Sequence, residues 1–185
     1  MKQENNVRYV LRLALTLLAI CAVVSGLLAG VNALTKERRA QIQAEKTAKA
    51  ISAVLENGET AVEVPYTAEG DTIVLKVYQN ENGYAVQVAP KGFGGAITMM
   101  VGVDMDYKVT GISIISHAET PGLGAIAAAK TDKGNAFRDQ FVGLISGISI
   151  GDGENQIEAI SGATISSKAI ASGVNAALAC VENMG

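Results

Sequence analysis

The sequence predicts an α+β domain, a small twisted antiparallel sheet with flanking helices, carried on one N-terminal transmembrane helix. Three observations predict it. Residues 13–34 contain no charge, four β-rich runs follow one another between residues 71 and 116, and the last stretch repeats apolar residues at helical spacing. The chain has 185 residues, so beyond the apolar segment only one modest domain remains. A net charge of -3 and 4% aromatic content exclude a nucleic-acid binder, which needs a basic face or stacking platforms.

Residues 1–9 form a short tail and residues 10–34 the transmembrane helix. The charge-free run is long enough to cross a hydrocarbon core of roughly 30 Å at ~1.5 Å per residue. A cleaved secretory signal, for which Val31-Asn32-Ala33 offers a small-residue site, has a core of only ~7 to 15 residues. A lipoprotein site at Cys21 meets bulky Ile20 where a small residue is expected. The uncleaved anchor is therefore preferred. Lys2, Arg8 and Arg12 precede the span and Lys36, Arg38 and Arg39 follow it, so the flanking charges leave its orientation open. The two distant cysteines, Cys21 and Cys180, suggest no disulfide framework.

A charged juxtamembrane helix is expected over residues 35–58, with Thr35 as its N-cap and Gly58 near its stop. The domain follows, over residues 59–185. "DTIVLKVYQ" and "YAVQVAP" flank the turn-forming "NENG", the pattern of a hairpin. "GGAITMMVGVDMD" and "KVTGISIIS" extend the sheet and are joined around Asp104 to Lys108. "GAIAAAK" and "GNAFRDQFVG" are predicted short helices, "LISGISI" a further strand, and the tail from Ser166 a helix. Ile170, Val174, Leu178 and Val181 make one apolar stripe on that helix, with Ser166 or Ser167 as N-cap.

The chemistry concentrates in two stretches. "ISGATISSKAI", residues 160–170, gathers Ser161, Thr164, Ser166 and Ser167 around Gly162, just before the last helix. Free N–H groups and the dipole at a helix N-terminus favour a phosphate. Gly162 permits close backbone approach, and Lys168 supplies a cation in the first turn. A plain turn-and-cap sequence stays open as the other reading. Within this stretch there is no G-x-S-x-G elbow, and the S-x-x-K pattern fails because Ile165 stands three before Lys168. Asp152, Glu154 and Glu158 do not reproduce EF-hand spacing and are read as solvated loop charges.

The second stretch is "HAETPGLGAIA", residues 117–127. Gly122, Gly124 and Ala127 trace the G-x-G-x-x-A outline of a dinucleotide site, but Pro121 interrupts it and no second buried strand follows. His117 and Glu119 have metal-ligating side chains without a third partner, so no metal site is expected. A Pro-Gly turn that rigidifies a loop is the alternative to a binding site.

One N-terminal span followed in order by "GFGGAITMMVGVD", "HAETPGLGA" and "SGATISS" resembles the FMN-binding domain family, most closely the G subunits of Rnf-type membrane electron-transport complexes. The C subunits of sodium-pumping NADH:quinone reductases share the layout and are usually longer. The resemblance extends over nearly the whole chain. It implies that residues 59–185 are an FMN-binding domain and that Thr164 carries covalent FMN through a phosphoester. Ser161, Gly162, Ala163 and Lys168 would surround the phosphate, and Glu119, Thr120 and Leu123 would lie against the isoalloxazine ring. No catalytic residue of the chain's own is implied.

The implied function is that of an electron-carrier subunit in a membrane ferredoxin:NAD oxidoreductase coupled to ion transport, with no turnover alone. The implied partners are the other membrane subunits and a flavin transferase that delivers FMN from FAD. The implied location is the inner or plasma membrane, single-pass, with the N-terminus cytoplasmic and the flavin domain extracytoplasmic. In one departure from the pattern, Glu158 stands where the family has aspartate, three before the S-G-A-T serine. A reading from another class is a membrane-anchored, non-redox module that holds a phosphate-bearing ligand reversibly at the same loop.

Overall fold

A computed structural model describes residues 2–66, 73–151, 153 and 155–184, with side chains from Arg8 onward. Asp71 and Thr72 of the first β-rich run, and Asp152 and Glu154, lie outside the described residues. The chain divides into two compact units, Met1–Glu45 and Lys46–Gly185.

Helix α1 (Lys2–Val54) is continuous. Thr35, expected as the cap of a separate helix, lies inside α1, where its Oγ1 donates to the Val31 carbonyl at 2.8 Å. With no proline or glycine nearby to stop the helix, a threonine hydroxyl can bond back to the preceding turn. Within the first unit the large apolar side chains of residues 13–34 are exposed, Leu17 at 64% and Leu27 at 67%. A helix apolar on every side with no protein cover matches a membrane span, and α1 is long and apolar enough to be one.

The second unit is built on a five-stranded antiparallel sheet in the order β1 (Val62–Val64), β2 (Val74–Asn80), β3 (Gly83–Val88), β4 (Thr98–Asp104) and β5 (Val109–Ser116). The expected hairpin closes with Asn80 opposite Gly83, where Gly83 takes a φ of 147°. Between β4 and β5, Asp104 Oδ1 accepts from the N–H groups of Asp106 at 2.9 Å and Lys108 at 2.8 Å.

Both faces of the sheet are covered. Val77, Val86, Val88, Met99, Val101 and Val103 point to one side and cluster with Ile170, Val174, Leu178 and Val181 of α3 (Thr164–Glu182). Ala85 and Met100 point to the other and cluster with Ala50, Ile51, Val54 and Leu55 at the end of α1. β4 is consequently buried at five successive positions, which is why its sequence does not alternate. Gly102 lets the α1 end come close, since a Cβ there would overlap the Val54 carbonyl oxygen. The hydroxyl of Thr110 donates to that same oxygen. Beyond α1, the side-chain amides of Asn80 and Asn82 donate to the Glu56 carbonyl at 2.9 and 3.1 Å, tying the segment after the helix to the hairpin turn.

A 3-10 turn (Gly124–Ala128) leads to α2 (Asp132–Asp139), capped by Thr131, whose Oγ1 accepts from Gly134 N at 3.3 Å. Arg138 ties the two together by donating to the Ala127 and Ala129 carbonyls. Partial burial lowers its pKa below the usual guanidinium value. β6 (Ile148–Ile150) and β7 (Asn155–Ile157) pair in parallel, and Asn175 of α3 clamps Ile148 by donating to its carbonyl at 2.7 Å and accepting from its N–H at 3.0 Å. β1 and the parallel β7 are elements the sequence pattern did not reveal, because three residues are too few to establish a period. α3 also passes the length and hydropathy test for a span, but it is mostly buried and serves as the core helix.

Leu178 is fully enclosed between α3 and the sheet. Leu178→Ala is expected to cost about 2–5 kcal/mol through lost burial and the cavity left behind. Urea unfolding of the detergent-solubilised chain measures it, and a cost below about 1 kcal/mol, the scale of an ordinary surface change, would contradict this packing.

Candidate functional site

The end of the 158–163 loop is held by its own turn and by the start of α3. Ala163 N donates to the Ile160 carbonyl at 2.9 Å, and Gly162 takes a φ of 74°, a left-handed conformation that glycine adopts without strain. α3 begins at Thr164 with Ala163 as an N-cap that provides no side-chain bond. Ser166 and Ser167, expected as caps, lie inside the first turn and are buried. Their hydroxyls face the protein because the apolar stripe from Ile170 onward turns that side of the helix inward. Ser167 Oγ donates to the Ala163 carbonyl at 3.0 Å and accepts from Ile160 N at 3.1 Å. Ser167 N bonds the Ala163 carbonyl at 2.9 Å, so the N–H groups of Thr164, Ile165 and Ser166 precede the first intrahelical bond and have no acceptor within the helix.

Glu119 anchors the facing loop. It is only 6% exposed, and each carboxylate oxygen accepts one bond: Oε1 from Gly94 N at 2.9 Å and Oε2 from the Ser166 hydroxyl. The surrounding glycines make room for it. A Cβ on Gly92 would fall 2.5 Å from Glu119 Oε1, and one on Gly124 would fall 2.5 Å from Oε2 and overlap Ser166 Oγ. Gly124 therefore serves carboxylate packing here, not the turn of a dinucleotide fingerprint. His117 Nδ1 accepts from Glu119 N at 3.2 Å. Among the described residues no group of three His, Cys, Asp or Glu side chains is placed to hold a metal ion.

Between these loops lies a cleft of about 340 Å³, at the small end of ligand sites. Of the residues expected at the site it brings together Glu119, Thr120, Leu123, Gly162, Ala163 and Thr164. Ser161 instead lines a second cleft of about 560 Å³ with Lys133, Gln140 and Glu158. Lys168 is exposed on α3 and lines neither cleft. Gln140 grips the loop from the second side, its Oε1 accepting from Glu158 N at 2.8 Å and its Nε2 donating to the Glu158 carbonyl at 3.3 Å.

Sequence reasoning did not assign Phe93, Gly124, Ile165 and Ser166 to the lining. Phe93 is 70% exposed, and an aromatic set among glycines, outside any periodic run, is the signal that marks it. The walls are thus mostly apolar side chains and backbone, with the buried Glu119 carboxylate and Ser166 hydroxyl on one side and two exposed threonines, Thr120 and Thr164, the latter at the start of a helix.

A model of the FMN-binding domain matches residues 92–179, a segment that contains every residue lining the first cleft. A model of the RnfG N-terminal region matches residues 1–54, the extent of α1. The chain is similar to the G subunit of the Na(+)-translocating ferredoxin:NAD(+) oxidoreductase complex of Acetobacterium woodii, with 31% identity over 99% of this chain and 97% of that one. It is also similar to the G subunit of the ion-translocating oxidoreductase complex of Methanosarcina acetivorans, with 31% identity over 94% and 95%. Among solved structures, the C subunit of the Na(+)-translocating NADH-quinone reductase from Parabacteroides distasonis aligns with a TM-score of 0.51 and 18% identity, covering 78% of this chain and 92% of that one. That likeness establishes the fold alone. Sharing its length with these G subunits and carrying both of their segments, the chain belongs to the G-subunit family of Rnf-type ion-translocating oxidoreductase complexes.

Proposed function

We propose that the chain carries electrons through an FMN joined to Thr164 by a phosphoester, as one subunit of a membrane complex that exchanges electrons between ferredoxin and NAD and couples this to ion transport. The observation that carries the reading is the place of Thr164: an exposed hydroxyl on the first residue of α3, at an apolar cleft. The residues suit the group. A phosphate on Thr164 meets the unpaired N–H groups of the first turn and the positive end of the helix dipole. Phe93, Leu123 and Ile165, all exposed, offer apolar surface for a ring. Gly162 keeps the loop low, since a Cβ there would press within 3.0 Å of Leu123 Cδ2.

When bound, the flavin supplies reversible uptake of one or two electrons. The chain's own residues hold and orient it. In attachment, the threonine oxygen forms a bond to the flavin-side phosphorus of FAD, the bond to AMP breaks, AMP leaves, and the hydroxyl proton passes to a base of the transferase. Ser161 and Glu158, on the second cleft, are available to that enzyme. Lys168, outside the lining, acts on the phosphate only through its longer-range charge. α1 anchors the chain as a single span, with the N-terminus cytoplasmic and the flavin domain outside.

Thr164→Ala is expected to abolish covalent flavin while leaving the fold intact, and Thr164→Ser to retain part of it. Intact mass and in-gel fluorescence of the denatured protein after co-expression with a flavin transferase decide this. Flavin on the alanine variant overturns the assignment, whereas flavin lost from the wild type on denaturation favours the reversible phosphate-ligand reading.

The flavinylated chain alone is expected to be reduced by dithionite but to show negligible turnover with NADH, because it has no nicotinamide fingerprint and too few cysteines for an iron–sulfur cluster of its own. Rapid oxidation of excess NADH by the purified chain would remove the relay role.

For topology, a C-terminal alkaline phosphatase fusion is expected to be active. An inactive one, beside an active cytoplasmic reporter at the same point, reverses the orientation.

A further inference from the structure

We propose that Glu119 is the positioning residue of the cleft and that its charge lowers the electron affinity of the flavin held there. This rests on the FMN reading of the cleft. Glu119 borders the cleft yet is 6% exposed. Its carboxylate joins three segments, accepting from Gly94 N–H, 25 residues away, and from the Ser166 hydroxyl, 47 residues away. Gly92 and Gly124 have no room for a Cβ beside it. Among the described residues no lysine or arginine forms an ion pair with it.

The two hydrogen bonds alone do not require a charge. A glutamine accepts from Gly94 N–H through its oxygen, and the Ser166 hydroxyl can rotate to accept from its NH₂. What the carboxylate adds is a negative charge that no lysine or arginine side chain offsets, in a wall shielded from solvent. Two-electron reduction with one proton, FMN + 2e⁻ + H⁺ → FMNH⁻, adds one negative charge to the flavin. The electrons come from a low-potential iron–sulfur protein and the proton from solvent. Like charges in a low-dielectric wall repel, so Glu119 makes reduction harder and keeps the flavin matched to low-potential donors.

The test is a spectroelectrochemical titration at fixed pH of the full chain in detergent, wild type against Glu119→Gln and Ser166→Ala. Glu119→Gln is expected to favour the reduced form at least tenfold, about 30 mV upward for a two-electron couple. Ser166→Ala, which removes one bond and keeps the charge, is expected to shift it by less. A folded, flavin-loaded Glu119→Gln protein with the wild-type potential overturns the proposal. If that variant does not fold, Glu119→Ala, which removes the carboxylate outright, is expected to raise the potential, and an unchanged value overturns the proposal equally. Intact mass is read on the same samples. Wild type without attached flavin sinks the Thr164 attachment, and the titration is then run with FMN added to saturation, so that Glu119 stands or falls on the potential. FMN that neither attaches nor binds overturns both.

Discussion

The C-terminal unit depends on one constraint: β3 and β4 are buried on both faces at once, by α3 on one side and by the end of α1 on the other. Each buried Val, Leu or Met is worth about 1.5–3 kcal/mol, so packing outweighs local preference wherever the two conflict. Gly173 is one case. A glycine inside a helix costs about 1 kcal/mol relative to alanine, yet a Cβ there would come within 2.5 Å of Met99 Cε and 2.8 Å of Pro90 Cγ. The glycine lets α3 lie close on the sheet, and the position of α3 in turn decides where Thr164 and its first-turn N–H groups stand.

The sequence made the larger elements legible. β2 to β5 were visible because each carries seven or so residues of consistent β character between clear turns. The apolar stripe of α3 was visible because four residues repeat at helical spacing and all four prove buried. Boundaries were less so. Ser166 and Ser167 have the composition of caps, but their side of the helix faces the core, so their hydroxyls became buried ties to Glu119 and to the 160–163 turn. Thr35 failed as a cap for a different reason, since nothing around it interrupts the helix.

The site was partly legible. The S-G-A-T loop and "ETPGLG" stood out in composition, and the family resemblance brought them together before any geometry did. Folding places both on one cleft. What the sequence could not convey was division of labour. Ser161 and Ala163 are two residues apart, yet they line separate clefts because the turn at Gly162 sends them to opposite sides. Phe93 was legible only as an aromatic set among glycines, while its exposure and its place on the cleft come from the fold.

The bonds from Glu119 to Gly94 and Ser166 span 25 and 47 positions of the chain. Contacts of that sequence separation require loops to be closed before they return any stabilisation, and they belong to the slow part of folding. The hairpin between β2 and β3, by contrast, closes across a turn of two residues. The cleft is therefore one of the last features of this domain to form, complete only when the C-terminal helix has settled. A chain cut short before α3 would lose the cover of one sheet face together with one wall of the cleft.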